Sequence, residues 1–139
     1  MELKLEHLAH YFPFDLRCKI LNYKSDYVGR EYGHIEGYYF LAGKCHYMFG
    51  GKSEAGKTSD LFMPILTPFS DFEKVIAKDL MNRFNCSLKV IEEIWKLKQG
   101  EIKIEDITCE SYLMMCENHI DFNNLISEGL AISIHDINQ

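Results

Sequence analysis

Ser59-Asp60-Leu61-Phe62-Met63-Pro64-Ile65-Leu66-Thr67-Pro68-Phe69-Ser70-Asp71-Phe72-Glu73 is the stretch at which this chain changes character. Before it, apolar residues recur at strand spacing; after it, at helix spacing. Leu61, Phe62, Met63, Ile65 and Leu66 make a run too short for a helix, and Pro64 would break one. The run therefore reads as the last strand of a sheet, near an edge where the missing N–H of Pro64 costs little. Pro68 stops the extended run. Ser70 and Glu73 stand at capping-box spacing, each side chain matched to the other's backbone N–H. Asp71 adds negative charge in the first turn, where the helix dipole favours it. A helix is expected to begin here.

Working back from this stretch, residues 3–10 read as a short helix or turn ended by Pro13. Phe14, Leu16, Cys18 and Ile20 alternate with Asp15, Arg17 and Lys19, the pattern of a half-buried strand. Lys24-Ser25-Asp26 is a turn. Gly29 and Gly33 suggest bends or a bulge, and Gly37 separates that segment from Tyr38-Tyr39-Phe40-Leu41. Gly43 leads into residues 45–49, and residues 50–58 read as a loop. Short strands bent by glycines and rich in aromatics imply a small curved antiparallel sheet or an SH3-like barrel.

Forward of the stretch, Phe72, Val75, Ile76, Leu80 and Phe84 follow helical spacing. Ser87 caps a second helix with Leu88, Ile91, Ile94 and Trp95 on its apolar face, ended by Gly100. Ile102 and Ile104 alternate with charges as a short strand does. A third helix covers residues 108–118. Asp121 caps a brief fourth one through Leu125 and Ile126, stopped by Gly129. Leu130, Ile132 and Ile134 alternate as a final strand. The expected fold is α+β in a single domain over residues 1–139, with strands over 1–66 followed by three or four short packed helices over 67–139.

Residues 1–66 carry eight Lys/Arg and eight Asp/Glu, whereas residues 67–139 carry seven and thirteen and so hold the whole net charge of -6. The acidic half argues against duplex nucleic acid as a partner, which needs a basic face. The neutral half holds seven of the eight tyrosines and is the better place for a ligand. No apolar run reaches membrane-spanning length, and the first residues lack the pattern of a signal peptide. With five irregularly spaced cysteines, which do not form a disulfide framework, this implies a cytoplasmic protein.

Gly51-Lys52-Ser53-Glu54-Ala55-Gly56-Lys57-Thr58 matches the phosphate-binding P-loop pattern letter for letter. In a P-loop, Lys57 reaches phosphate oxygens and Thr58 holds Mg²⁺. Such a loop must join a buried parallel strand to a helix N-terminus. The expected surroundings are instead a polar loop between two strands, so no cofactor is assigned and enzyme activity is not expected. Lys52 and Lys57 keep a role as cations for an anionic ligand. Cys109, Cys116 and His119 share a helix face, and Cys45 adjoins His46, but none has paired zinc-ligand spacing; Cys109 and Cys116 read as core and no metal is assigned. Arg30, Tyr32, Tyr38, Tyr39, Lys44 and His46 interleave aromatics with cations, residue types that stack bases and neutralise phosphates. Half of the tyrosines are expected to point into the core.

Three segments carry a resemblance. Residues 5–16, from Leu5-Glu6-His7-Leu8 to Phe14-Asp15-Leu16, look like the start of a family of small uncharacterised proteins encoded by phages and prophages of Bacteroidetes. Pro64-Ile65-Leu66-Thr67-Pro68-Phe69-Ser70-Asp71 resembles that family's central KPILRPLSDL stretch. Residues 121–134 resemble its DVFGLIEKGLAIDI ending. The matches keep their order and span nearly the whole chain, but imply no catalytic residues. The resemblance implies a phage-encoded accessory protein. Its expected role is to bind a host component, either a protein or a nucleotide-like signal, as a defence inhibitor does. The alternatives are a nucleotide-binding or hydrolysing enzyme using residues 51–58, and an assembly factor acting as a homo-oligomer.

Overall fold

Leu16, Cys18 and Ile20 are buried while Arg17 and Lys19 between them are half-buried, so β1 (Leu16–Ile20) forms as its alternation requires. In the computed structural model the described residues are 3–21, 32–49, 52–55, 61–72, 74 and 88–137. β1 pairs antiparallel with β2 (Tyr32–Leu41) on one side and β5 (Phe62–Pro68) on the other. β2 turns back into β3 (Lys44–Phe49), and β3 pairs with β4 (Lys52–Ala55). Beyond β5 lie two short strands, β6 (Ile120–Asp121) and β7 (Ile132–Ser133), both parallel to it. The result is a curled sheet of seven strands among the described residues, forming half a barrel, with helices added: an α+β fold.

Several local expectations change. The sheet is mixed, not purely antiparallel, because β6 and β7 return to β5 from the helical half. β5 is interior: residues 62–64 pair with β1 and residues 65–68 with β7 and β6. Pro64 is tolerated because the ladder with β1 ends at its pairing with Cys18. Gly37 does not end a strand. It follows a register shift inside β2, where one extra residue bulges between Ile35 and Gly37. Residues 52–55, expected within a loop, form β4. Pro13 lies inside a six-residue 3-10 helix, Ala9–Phe14.

In the second half, α1 (Leu88–Lys98) ends as expected at Gly100, whose φ of 78° lets the chain reverse. Gly100 N–H donates to Leu97 O and Glu101 N–H to Lys96 O, closing a Schellman motif. Trp95, expected on the apolar face, is 41% exposed, while Ile94 and Val90 take the core positions. α2 (Cys109–Glu117) starts at Thr108, whose hydroxyl accepts from Ser111 N–H at 3.3 Å. Ile104–Asp106 is a 3-10 turn rather than a strand. Asp121 does cap, accepting from Leu125 and Ile126 N–H at 2.9 and 2.8 Å, but it caps a turn rather than a helix. Ser70 lies within a 3-10 turn, Phe69–Asp71, whose N-cap position is Pro68. Glu73, the expected helix through Phe84, Ser87 and the turn at 24–26 fall outside the described residues.

Two apolar clusters hold the structure. The larger joins Leu8, Tyr11 and Phe12 to the inner face of the sheet, and the smaller joins Phe72 to Val90 and Ile94 of α1 and Met115 of α2. Phe122 packs against both. Long-range polar ties close the seam between the N-terminal turns and the helical half. The Tyr11 hydroxyl donates to Ile120 O at 2.5 Å, and His119 Nε2 lies 2.6 Å from Phe14 O. The His135 ring and the Asp71 carboxylate are in hydrogen-bond contact, which ties the last turn to the segment following β5.

Candidate binding surface

The β2–β3 hairpin is joined by two residues, Ala42 and Gly43, with φ of 53° and 76°. Positive φ at both positions is the mirrored turn that suits the twist of a hairpin. The pairs Tyr38↔Tyr47, Tyr39↔His46, Phe40↔Cys45 and Leu41↔Lys44 follow from it. Alternation then assigns faces. Tyr47 is buried and its ring meets Phe62 at 5.1 Å, so Tyr38 and Phe40 share the inner face with Tyr47 and Cys45. Phe12 packs against both Tyr38 and Tyr47, at 5.6 and 6.4 Å between ring centroids. Tyr39, Leu41, Lys44 and His46 lie on the outer face. There the Tyr39 and His46 rings stack in parallel, 4.9 Å apart and 3° from coplanar.

The hairpin runs past the residues that cover its inner face. Tyr38 is 41% exposed although it is an inner-face residue, and Phe40 is 64% exposed. With Tyr39 and Leu41 they make four consecutive large apolar side chains open to solvent. Two of them lie on each face, so the hairpin end is apolar and open on both sides, and exposed apolar surface of this kind marks interaction sites.

The sequence-predicted cluster is divided by this geometry. Tyr38, Lys44 and His46 come together at the hairpin end, with Tyr38 on the opposite face from the other two. Tyr32 is six residues back along β2, roughly 20 Å away at strand rise. It stands opposite Lys19 in the register, beside His34, which pairs with Asp15 at 2.9 Å. Lys52 is at the β4 register position opposite Phe49. Arg30 and Lys57 lie outside the described residues. Phe40 and Leu41 were not among the predicted site residues. The signal for them is their place just before a two-residue turn, where a strand outruns its cover.

Within the P-loop-like segment, Lys52–Ala55 form an antiparallel ladder with β3. A phosphate cradle needs those residues curled so that successive N–H groups converge. The strand before them, β3, is flanked by antiparallel partners on both sides.

Cys116 is buried in the larger cluster, whereas Cys109, expected in the core, is exposed. Burial pushes the Cys18 thiol up to about 12 and the Cys116 thiol up to about 11, so both stay protonated and poorly nucleophilic at neutral pH. Cys45 and His46 project to opposite faces of β3. Burial lowers His119 and holds His10 down at about 4. Among the described residues no group of three or more His, Cys, Asp or Glu is placed to hold a metal ion. Comparison with known proteins finds no matching family model, no matching curated protein and no matching solved structure.

Proposed function

We propose that this is a non-enzymatic binding protein that docks a protein of its host through the end of the β2–β3 hairpin. The observation that carries this reading is the run of four exposed apolar side chains, residues 38–41, on a hairpin whose register and bulge fix their directions. Tyr and Phe offer large contact area at low conformational cost, which suits them to interface centres. The phage context comes from the sequence resemblance, and with it the reading of a defence inhibitor acting in the host cytoplasm. Among the described residues no helix is long and apolar enough to cross a membrane.

The test is a quantitative pull-down from host lysate with the parent and with a Phe40→Ser/Leu41→Ser variant, after circular dichroism has matched their folds. The parent is expected to enrich a defined protein at least tenfold over the variant. Equal recovery by both overturns the reading. A second reading, a nucleotide-like ligand, is favoured by one observation: the Tyr39–His46 stack beside Lys44 is a ready platform for a base and a phosphate. A thermal-shift panel of cyclic mono-, di- and trinucleotides decides between them. A shift that His46→Ala removes selects the nucleotide.

A further inference from the structure

We propose that the 3-10 helix Ala9–Phe14 is an acid-sensitive strap: it holds Phe12 over the inner face of the β2–β3 hairpin while His10 is neutral, and it opens more often once His10 takes up a proton. Phe12 is the strap's link to the sheet, buried and packed against Tyr38 and Tyr47. Its links to the helical half are the Tyr11 hydroxyl on Ile120 O and His119 Nε2 on Phe14 O. His10 lies among these attachments, with its ring against those of Tyr11, Phe122 and Tyr112. The two ends are anchored separately. Leu8 is fully buried, and the Asp15 carboxylate pairs with His34 of β2 at 2.9 Å. Movement is therefore confined to the strap, and lifting it leaves Tyr38, Phe40 and Tyr47 as one open apolar face.

The surroundings of His10 accept a neutral ring and oppose a charged one. Its Nε2 is buried and meets no hydrogen-bond acceptor among the described residues, so a proton there would be desolvated without a partner. The titratable groups around it supply no compensating anion. Burial raises Tyr11, beside it, and Tyr112 of α2, and it raises the Cys116 thiol that is in hydrogen-bond contact with Tyr112, so all three stay neutral. His7 of the preceding turn acts against the charge by repulsion. The Asp121 carboxylate, which faces Tyr11, accepts from Leu125 and Ile126 N–H. Acid does not cut the neighbouring tie, because a protonated His119 keeps an N–H for Phe14 O. His10 is thus the group through which a proton acts on the strap.

The sign follows from the depressed value of His10: closure is fully favoured above 6.5 and is weakened as pH falls toward about 4. With an ordinary value in the open state, the open fraction rises roughly thirtyfold at pH ~5 relative to a strap that carries no titrating group. Hydrogen–deuterium exchange of the full chain, read by mass spectrometry, detects such openings even when they are rare. The comparison is the parent against His10→Gln, whose side chain gains no charge. The ratio of their exchange rates over residues 8–15 is expected to rise about tenfold or more between pH ~7.5 and ~5, while the ratio over α1 stays constant. His10→Phe, which restores a ring among the aromatics, is expected to give the same rise and serves should Gln disturb the fold. A ratio over residues 8–15 that does not change with pH overturns the proposal. An equal rise over α1 also overturns it, because the whole fold and not the strap would then be opening. No partner enters the measurement, so its outcome is independent of the docking reading above.

Discussion

Tyr11 and Tyr38 show how the two ends of this molecule differ. Tyr11 is fully buried, and its hydroxyl reaches Ile120 across 109 positions of sequence. Tyr38 faces the same side of the sheet, yet it is 41% exposed, and its described ring neighbours are Phe12 and Phe40. The seam around Tyr11 is closed by segments far apart in the chain, with His119 on Phe14 O and Asp121 capping the following turn. The hairpin end is built by residues within a few positions of one turn. Stability is therefore concentrated in the seam, and the hairpin end is left available for recognition. One region should tolerate no truncation, and the other should tolerate it in folding but not in binding.

The sharpest test of that division is a pair of alanine substitutions. Tyr11→Ala removes a fully buried ring and one of the two donors to Ile120 O, the other being Phe122 N–H, so about 4 kcal/mol of stability is expected to be lost. Phe40→Ala removes a ring that is mostly in water, and the expected change is within about 0.5 kcal/mol. Urea unfolding of the two variants reads both numbers on one scale. Comparable losses would mean that the hairpin end is part of the core, and the division would fail.

An intermediate effect comes from His10, which sits in the seam among the rings of Tyr11, Phe122 and Tyr112, at 4.0, 4.9 and 5.9 Å. Its Nε2 is buried with no hydrogen-bond partner in the described structure. Desolvation, helped by nearby His7, depresses its pKa from 6.5 to about 4. The unfolded chain therefore binds this proton more readily than the folded one. His10 contributes stability that is complete above the unfolded value of 6.5 and is lost as pH falls toward 4. Burial lowers His119 as well, and Thr108 N–H lowers Glu93, so all three act in the same direction. A melting temperature several degrees lower near pH ~4.5 than near ~7.5 is expected. His10→Phe should flatten that slope by removing the titrating group while keeping a ring of similar size. A pH profile unchanged by His10→Phe would show that the seam is not the acid-sensitive region.

Much of this division was legible where neighbours in sequence are also neighbours in space. The burial of β1 follows from its own alternation, and Thr108 caps a residue three positions on. Gly100 ends its helix through bonds spanning three and five residues. Elsewhere the local signal was ambiguous. Ile102 and Ile104 alternate over too few residues to fix a period, and the structure uses Ile104 and Ile107, one turn apart, against the smaller cluster. Lys52–Ala55 is polar, with little strand preference of its own, and it is strand because β3 offers an edge. β6 and β7 are two residues each, and nothing local announces that they return in parallel to β5. The aromatics of the candidate site were recognisable as a group. Which face each one takes was not, because a single bulged residue between Ile35 and Gly37 inverts the alternation for everything beyond it.

That inversion makes the turn at Ala42 the smallest but most discriminating place to test the hairpin. Ala42 has φ of 53° and Gly43 has φ of 76°. A side chain with a Cβ is disfavoured in the left-handed region, whereas Asn tolerates it through local hydrogen bonding. Asn-Gly is also the preferred pair for this two-residue turn. Ala42→Asn is therefore expected to raise stability by about 0.5 kcal/mol, and Ala42→Val to lower it by about 1 kcal/mol. Both are read by urea unfolding. If Asn destabilises and Val does not, both turn residues cannot have positive φ. The register that sets Leu41 against Lys44 would then be shifted. A shift of one residue would exchange the faces of Tyr38 and Tyr39, placing Tyr38 rather than Tyr39 on the outer surface. The contrast between a buried Tyr11 and an open hairpin end would survive, but the two faces of that end would exchange their aromatic residues.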